Sequence, residues 1–77
     1  MEMKEFVQNF AEQFDETDVA VFTPELKFRE LEEWSSFLAL GIMAMIKSEY
    51  DVAITADEMR NANTIQELFE TVQKHLS

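Results

Sequence analysis

The sequence predicts an all-α fold, with three long helices and one short helix formed by residues 1–77 as a single domain. Three observations carry this expectation. The 77 residues include one glycine and one proline, so long stretches contain neither of the usual helix breakers. Near both ends of the chain, apolar residues recur at three- and four-residue steps, which gathers them on one side of a helix. Apolar residues make up 47% of the total, enough to build a core and to exclude disorder despite a formal charge of −10.

Met3, Phe6, Val7, Phe10 and Phe14 form the first such stripe, with Lys4, Glu5, Gln8, Asn9, Glu12 and Gln13 between them. This predicts a helix from Glu2 to Phe14. Asp15 to Asp18 interrupt it, and Val19 to Lys27, containing Pro24, shows no sustained period and reads as a loop with a helical turn after Pro24. Val19, Val21, Phe22, Leu26, Phe28 and Leu31 are too many large apolar groups for a free linker, so the loop is expected to lie against the core. Ser35 or Ser36 can cap the next helix, whose range is Ser36 to Glu49. Its apolar residues, Phe37 to Ile46, point all the way round the cylinder, so the helix must be central or must meet a partner.

After a connector at Asp51 to Thr55, Thr55 and Glu58 have the spacing of a capping box for a short helix over Ala56 to Arg60. Thr64 and Glu67 repeat that spacing. Ile65, Leu68, Phe69, Val72 and Leu76 then make the stripe of the last helix.

Sixteen acids against six bases would be repelled by a phosphate backbone or an anionic lipid surface, so no nucleic acid is expected as partner. A field of that sign speeds encounters with basic patches on other proteins. No membrane span is expected either, because the longest apolar run, Phe37 to Ile46, has about half the roughly 20 residues a crossing helix needs. The start Met1-Glu2-Met3-Lys4-Glu5 lacks the basic region and apolar run of a signal peptide. With no cysteine there is no disulfide framework and no thiolate of the chain's own, and a cytoplasmic monomer is the expectation.

A domain of this size leaves little room for a cleft lined on several sides, and the chain is not expected to be an enzyme. Glu32 and Glu33 are consecutive and point apart, so they do not read as an acid–base pair. Asp51 to Asp57 lacks the alternating oxygen ligands and the glycine of a calcium loop, and no metal site is expected. His75, the single histidine, falls in the final turn, where its charged form favours the helix carboxyl end. Ser35 and Ser36, taken by themselves, read as caps of the second helix.

From Trp34 onward, the order of features resembles the acyl carrier protein family. Ser35-Ser36-Phe37 stands where that family has Asp-Ser-Leu, Tyr50 follows Ser36 by fourteen positions, and Val52, Ile54, Asp57-Glu58 and Thr64-Ile65 then follow without insertion. Leu31 and Trp34 resemble the Leu and Trp of a variant signature in which Trp-Asp-Ser-Leu opens the helix. The likeness covers the last fifty residues closely and the first helix by length and pattern.

The resemblance implies an acyl-carrier-like bundle with a covalent 4'-phosphopantetheine arm on Ser36, Ser35 being the second choice. It also implies partners in a phosphopantetheinyl transferase and in acyl-transferring synthases or ligases with basic patches. Ser35 replaces the aspartate that, in the family, helps the transferase and its metal ion engage. The alternative is therefore an unmodified interaction module that keeps the carrier fold and binds a partner through helix two. For partner binding the expected residues are Glu33, Asp57 and Glu58 with an apolar strip of Leu38, Gly41 and Met45, which fall within about 60° of each other at 3.6 residues per turn. That strip faces either a partner or a copy of the chain, unless the long loop buries it. Leu40, Met43, Ala44 and Ile46 are assigned to the core.

Overall fold

The computed structural model describes residues Met1–Ser77 and contains no strand. Four α-helices follow in order: α1 (Met3–Ala11), α2 (Ser36–Tyr50), α3 (Ala56–Asn61) and α4 (Ile65–Leu76). Two 3-10 turns, Val19–Val21 and Phe28–Glu30, punctuate the long connection from α1 to α2. α1 packs against α2 and α4, and α3 packs against α4. Seventeen buried side chains, all apolar, form one cluster.

α1 buries Phe6 and Phe10 completely, as its stripe requires. It stops at Ala11 rather than Phe14, for a physical reason. The amides of Gln13 and Phe14 bond to the carbonyls three residues back, tightening the chain, while those of Asp15, Glu16 and Thr17 donate to the Glu33 carboxylate instead of to helix carbonyls. Phe14 is nonetheless buried, stacked on Phe10 at 5.5 Å between ring centroids.

The long connection does lie on the core, through Phe22 and Phe28, whereas Val19 and Val21 are exposed, contrary to expectation. Phe28 sits 5.1 Å from Phe10 and 5.0 Å from Trp34 between centroids. The expected helical turn after Pro24 is a single hydrogen-bonded turn, Leu26 N donating to Thr23 O at 3.0 Å. Its carbonyls have a second use. Pro24 O and Leu26 O accept from Gln66 N and Ile65 N, two first-turn amides of α4 that have no partner within that helix.

α2 ends one residue beyond the expected Glu49, at Tyr50, and Asp51 closes it in the left-handed conformation with φ 56°, its amide bonded to Lys47 O at 3.0 Å. Tyr50 Oη accepts from Asn9 Nδ2 at 2.9 Å, which ties α2 to α1. The Thr55–Glu58 capping box forms as the spacing predicts. At α4 only half of it forms: Thr64 Oγ1 accepts from Glu67 N, but the Glu67 carboxylate reaches past Thr64 to accept from Asn63 N at 2.8 Å. Leu76, assigned to the α4 stripe, is half exposed. No helix is long and apolar enough to cross a membrane.

Candidate functional site

Two adjacent serines open α2, and they do different things. Ser35 is extended (φ −157°, ψ 167°), the conformation of an N-cap, and its Oγ accepts from Leu38 N at 3.2 Å. Ser36 is the first residue inside the helix, is exposed, and is left out of the capping bond. The hydroxyl that sequence spacing selects for chemistry is therefore the one relieved of structural duty.

Ser36 lines a groove of about 350 Å³ between α2 and α3. Trp34, Ala39, Leu40 and Met43 line it from the α2 side, and Ala56 and Met59 from α3. Arg29 and Arg60, the chain's only arginines, line it too. A larger hollow of about 540 Å³ lies between α1 and the segment around Val19 to Pro24. Lys4 is its one charged group and it holds no hydroxyl, so the chemistry points to the smaller groove.

Several expected site residues are elsewhere. Leu38 and Met45 are turned inward as members of the core, and the third member of the strip, Gly41, faces Gln13 next to α1. The apolar strip of Leu38, Gly41 and Met45 is thus covered by the chain itself. Conversely Leu40 and Ala44, assigned to the core, are exposed; Ile46 is fully buried as assigned, and Met43 is half-buried. The outward apolar residues are Phe37, 82% exposed, and Leu40, 64% exposed, and neither was among the expected site residues. A signal for them did exist. At 100° per residue, Phe37, Leu40 and Ala44 share a sector with Lys47 and Ser48, and those polar residues mark the side that faces water.

The three acids expected at a partner surface all have partners within the chain. The Glu33 carboxylate accepts from the amides of Asp15, Glu16 and Thr17 and from Thr17 Oγ1, at 2.7–3.1 Å. It fastens the end of α1 to the entrance of α2. Asp57 pairs with Arg60 one turn later in α3. Glu58 closes the capping box at Thr55 N and also meets His75 Nε2 at 2.8 Å, joining α3 to the end of α4.

The Thr17 hydroxyl first, then the Asp15 amide, hold the Glu33 carboxyl below its usual range. Glu58 is lowered by the Thr55 amide and then by His75, and Asp51 by Lys47. A carboxyl whose folded pKa is depressed contributes stability that is present above its unfolded pKa and is lost as pH falls through the folded value. The contributions of Glu33 and Glu58 therefore begin to be lost as pH falls below about 4.3, the ordinary glutamate value, and that of Asp51 below about 3.9. Glu33→Gln is expected to lower the urea midpoint at pH 7. Because wild type also loses the contribution in acid, the gap between the two should narrow as pH is taken from 7 to 3. A gap that stayed constant over that range would show that the Glu33 charge does not hold the α1 end.

No family model, curated protein or solved structure matches the chain.

Proposed function

We propose that this chain is an acyl carrier protein that holds a thioester-linked acyl group on a 4'-phosphopantetheine arm at Ser36 and shuttles it between enzymes. The observation that carries the proposal is the division of labour at the head of α2. Ser35 caps the helix, and exposed Ser36 opens on an apolar groove. The order of features from Trp34 to Ile65, which resembles the acyl carrier family, agrees with that placement and with an acyl-carrier-like reading of the four helices.

The donor set fits the group. Loading needs a hydroxyl that can approach the pyrophosphate of coenzyme A. A bond forms between Ser36 Oγ and the phosphorus next to pantetheine, the pyrophosphate P–O bond breaks, the adenosine bisphosphate leaves, and the serine proton passes to a base of the transferase. An exposed first-turn serine meets that need, and neighbouring backbone amides favour the resulting phosphodiester. The arm supplies the thiol that the cysteine-free chain lacks. Leu40, Met43 and Met59 offer apolar surface in the groove, and methionines repack readily around an acyl chain.

The outward face of α2 supports one way for a transferase to engage. It consists of Ser36, Phe37, Leu40, Ala44, Lys47 and Ser48, and it meets a carboxylate only at its far end, where Asp51 pairs with Lys47 Nζ at 2.9 Å. Exposed acids flank this face: Glu30 and Glu32 lie shortly before α2 in the chain, and Glu12, just past the end of α1, lines a hollow with Ala44 and Ser48. An apolar island with acidic shores fits a transferase that presents an apolar socket rimmed by lysine and arginine. A second copy of the chain fits poorly, because its own −10 charge would be brought against the same acids.

Intact mass after incubation with coenzyme A and a broad-specificity phosphopantetheinyl transferase tests the proposal. Wild type is expected to gain one arm, Ser36→Ala to gain none, and Ser35→Ala to gain one. If wild type gains none while Ser35→Asp does, the chain is instead an unmodified interaction module. Ser35, standing where the family has its aspartate, is the feature that favours that second reading.

A further inference from the structure

Both arginines of this acidic chain line the groove that Ser36 lines. Their situations differ. Arg29 is fully engaged: Nη1 donates to Met59 O at 3.1 Å, Nη2 donates to Asn63 Oδ1, and the guanidinium lies 5.6 Å from the centre of the Phe28 ring. It fixes the segment before α2 to the end of α3 and adds a stationary positive charge. Arg60 has one partner, Asp57, three residues earlier on the same short helix. Both side chains of that pair are more than two-thirds exposed, and an exposed pair of this kind contributes little in water.

A guanidinium held so weakly is free to exchange its partner. An anion tethered in the same groove competes with Asp57 at a high effective concentration, and a phosphate offers the paired oxygens that match the guanidinium fork. Asp57 loses little by the exchange, since its carboxylate already faces water.

We propose that Arg60 is a phosphate-binding residue that leaves Asp57 to engage the phosphodiester of the arm once Ser36 is loaded. This rests on the carrier reading above and deepens it. The consequence is directional: a phosphate drawn toward α3 lays the rest of the arm along Met43 and Met59 rather than out into solvent. Asp57 then acts as a competitor that keeps Arg60 folded onto α3 while Ser36 is bare.

The test uses the full chain, bare and loaded, with loading verified by intact mass. The Arg60 Nε–Hε resonance is expected to shift on loading of wild type, and to shift further in loaded Asp57→Asn, where the competitor is gone. The phosphorus resonance of loaded Arg60→Gln should differ from that of loaded wild type, and the difference should shrink as salt is raised. Arg60 is exposed, so the variant keeps the fold, which a matching amide spectrum of the bare forms would establish. A chain that accepts no arm overturns both readings. A chain that loads normally, yet shows an unmoved Arg60 resonance and the same phosphorus resonance in Arg60→Gln, overturns this one alone.

Discussion

Phe28→Ala is expected to cost about 3–5 kcal/mol, the usual range for truncating a fully buried phenylalanine, and so to remove much of the stability of the fold. A domain of 77 residues has about 4–12 kcal/mol in total, at roughly 0.05–0.15 kcal/mol per residue. The size of the effect follows from what surrounds the ring. Phe28 is 0% exposed, contacts Phe10 of α1 and Trp34 before α2, and lies under the Arg29 guanidinium that reaches α3. One cavity there would loosen the connection from three sides.

The check is urea unfolding followed by far-ultraviolet circular dichroism, since Trp34 fluorescence would itself be changed by the substitution. With a slope of about 1 kcal/mol per molar for a chain this small, the midpoint should fall by about 3 M or more, or the variant should be largely unfolded in buffer. Leu76→Ala, at a half-exposed position, should move it by less than about 0.5 M. Equal shifts in the two variants would mean that the connection from Asp15 to Trp34 is a loose cover and not part of the core.

That connection also shows where the sequence was readable. The stripes of α1 and α4 pointed inward except at Leu76, because Phe6 and Phe10, and Ile65, Leu68, Phe69 and Val72, are separated by polar residues that have to face water. α2 has no such contrast over its first ten residues. Within that stretch hydropathy does not separate Leu38 and Met45 from Phe37 and Leu40; only Lys47 and Ser48 in the last turns mark the outward side, and the strip of Leu38 and Met45 is the buried one.

The capping box at Thr55 and the Thr64 cap were legible because their partners lie three residues apart, whereas the Glu67 carboxylate reaching Asn63 N was not. The Glu33 clasp joins residues sixteen to eighteen positions apart, and Arg29 reaches Asn63 across thirty-four, so neither leaves a local pattern. Between Ser35 and Ser36 the residue types are identical. The backbone separates their structural roles, by making the first of them the extended cap and the second the first helical residue.

Phe37→Ala is expected to slow loading of Ser36 by about tenfold or more in kcat/KM while leaving the fold intact. On the proposed docking face this ring is the neighbour of Ser36, so a transferase that reached Ser36 Oγ over that face would cover it. An aromatic anchor buried at the centre of an interface typically contributes about 2 kcal/mol or more, which corresponds to roughly thirtyfold. Its cost to the free protein is small. At 82% exposure the ring contributes almost nothing to the core, and substitutions at such positions usually change stability by less than about 0.5 kcal/mol.

The two effects are thus separable, as they would not be for Leu38 or Met45, whose truncation opens a cavity in the core. Phe37→Leu should recover part of the rate, because an apolar socket accepts a smaller apolar group better than none. Lys47→Ala, on the same face but nearly at the far end of α2, should load at close to the wild-type rate. If Phe37→Ala loads as fast as wild type, the exposed aromatic is not the transferase contact, and the acids flanking the face become the surface to test instead.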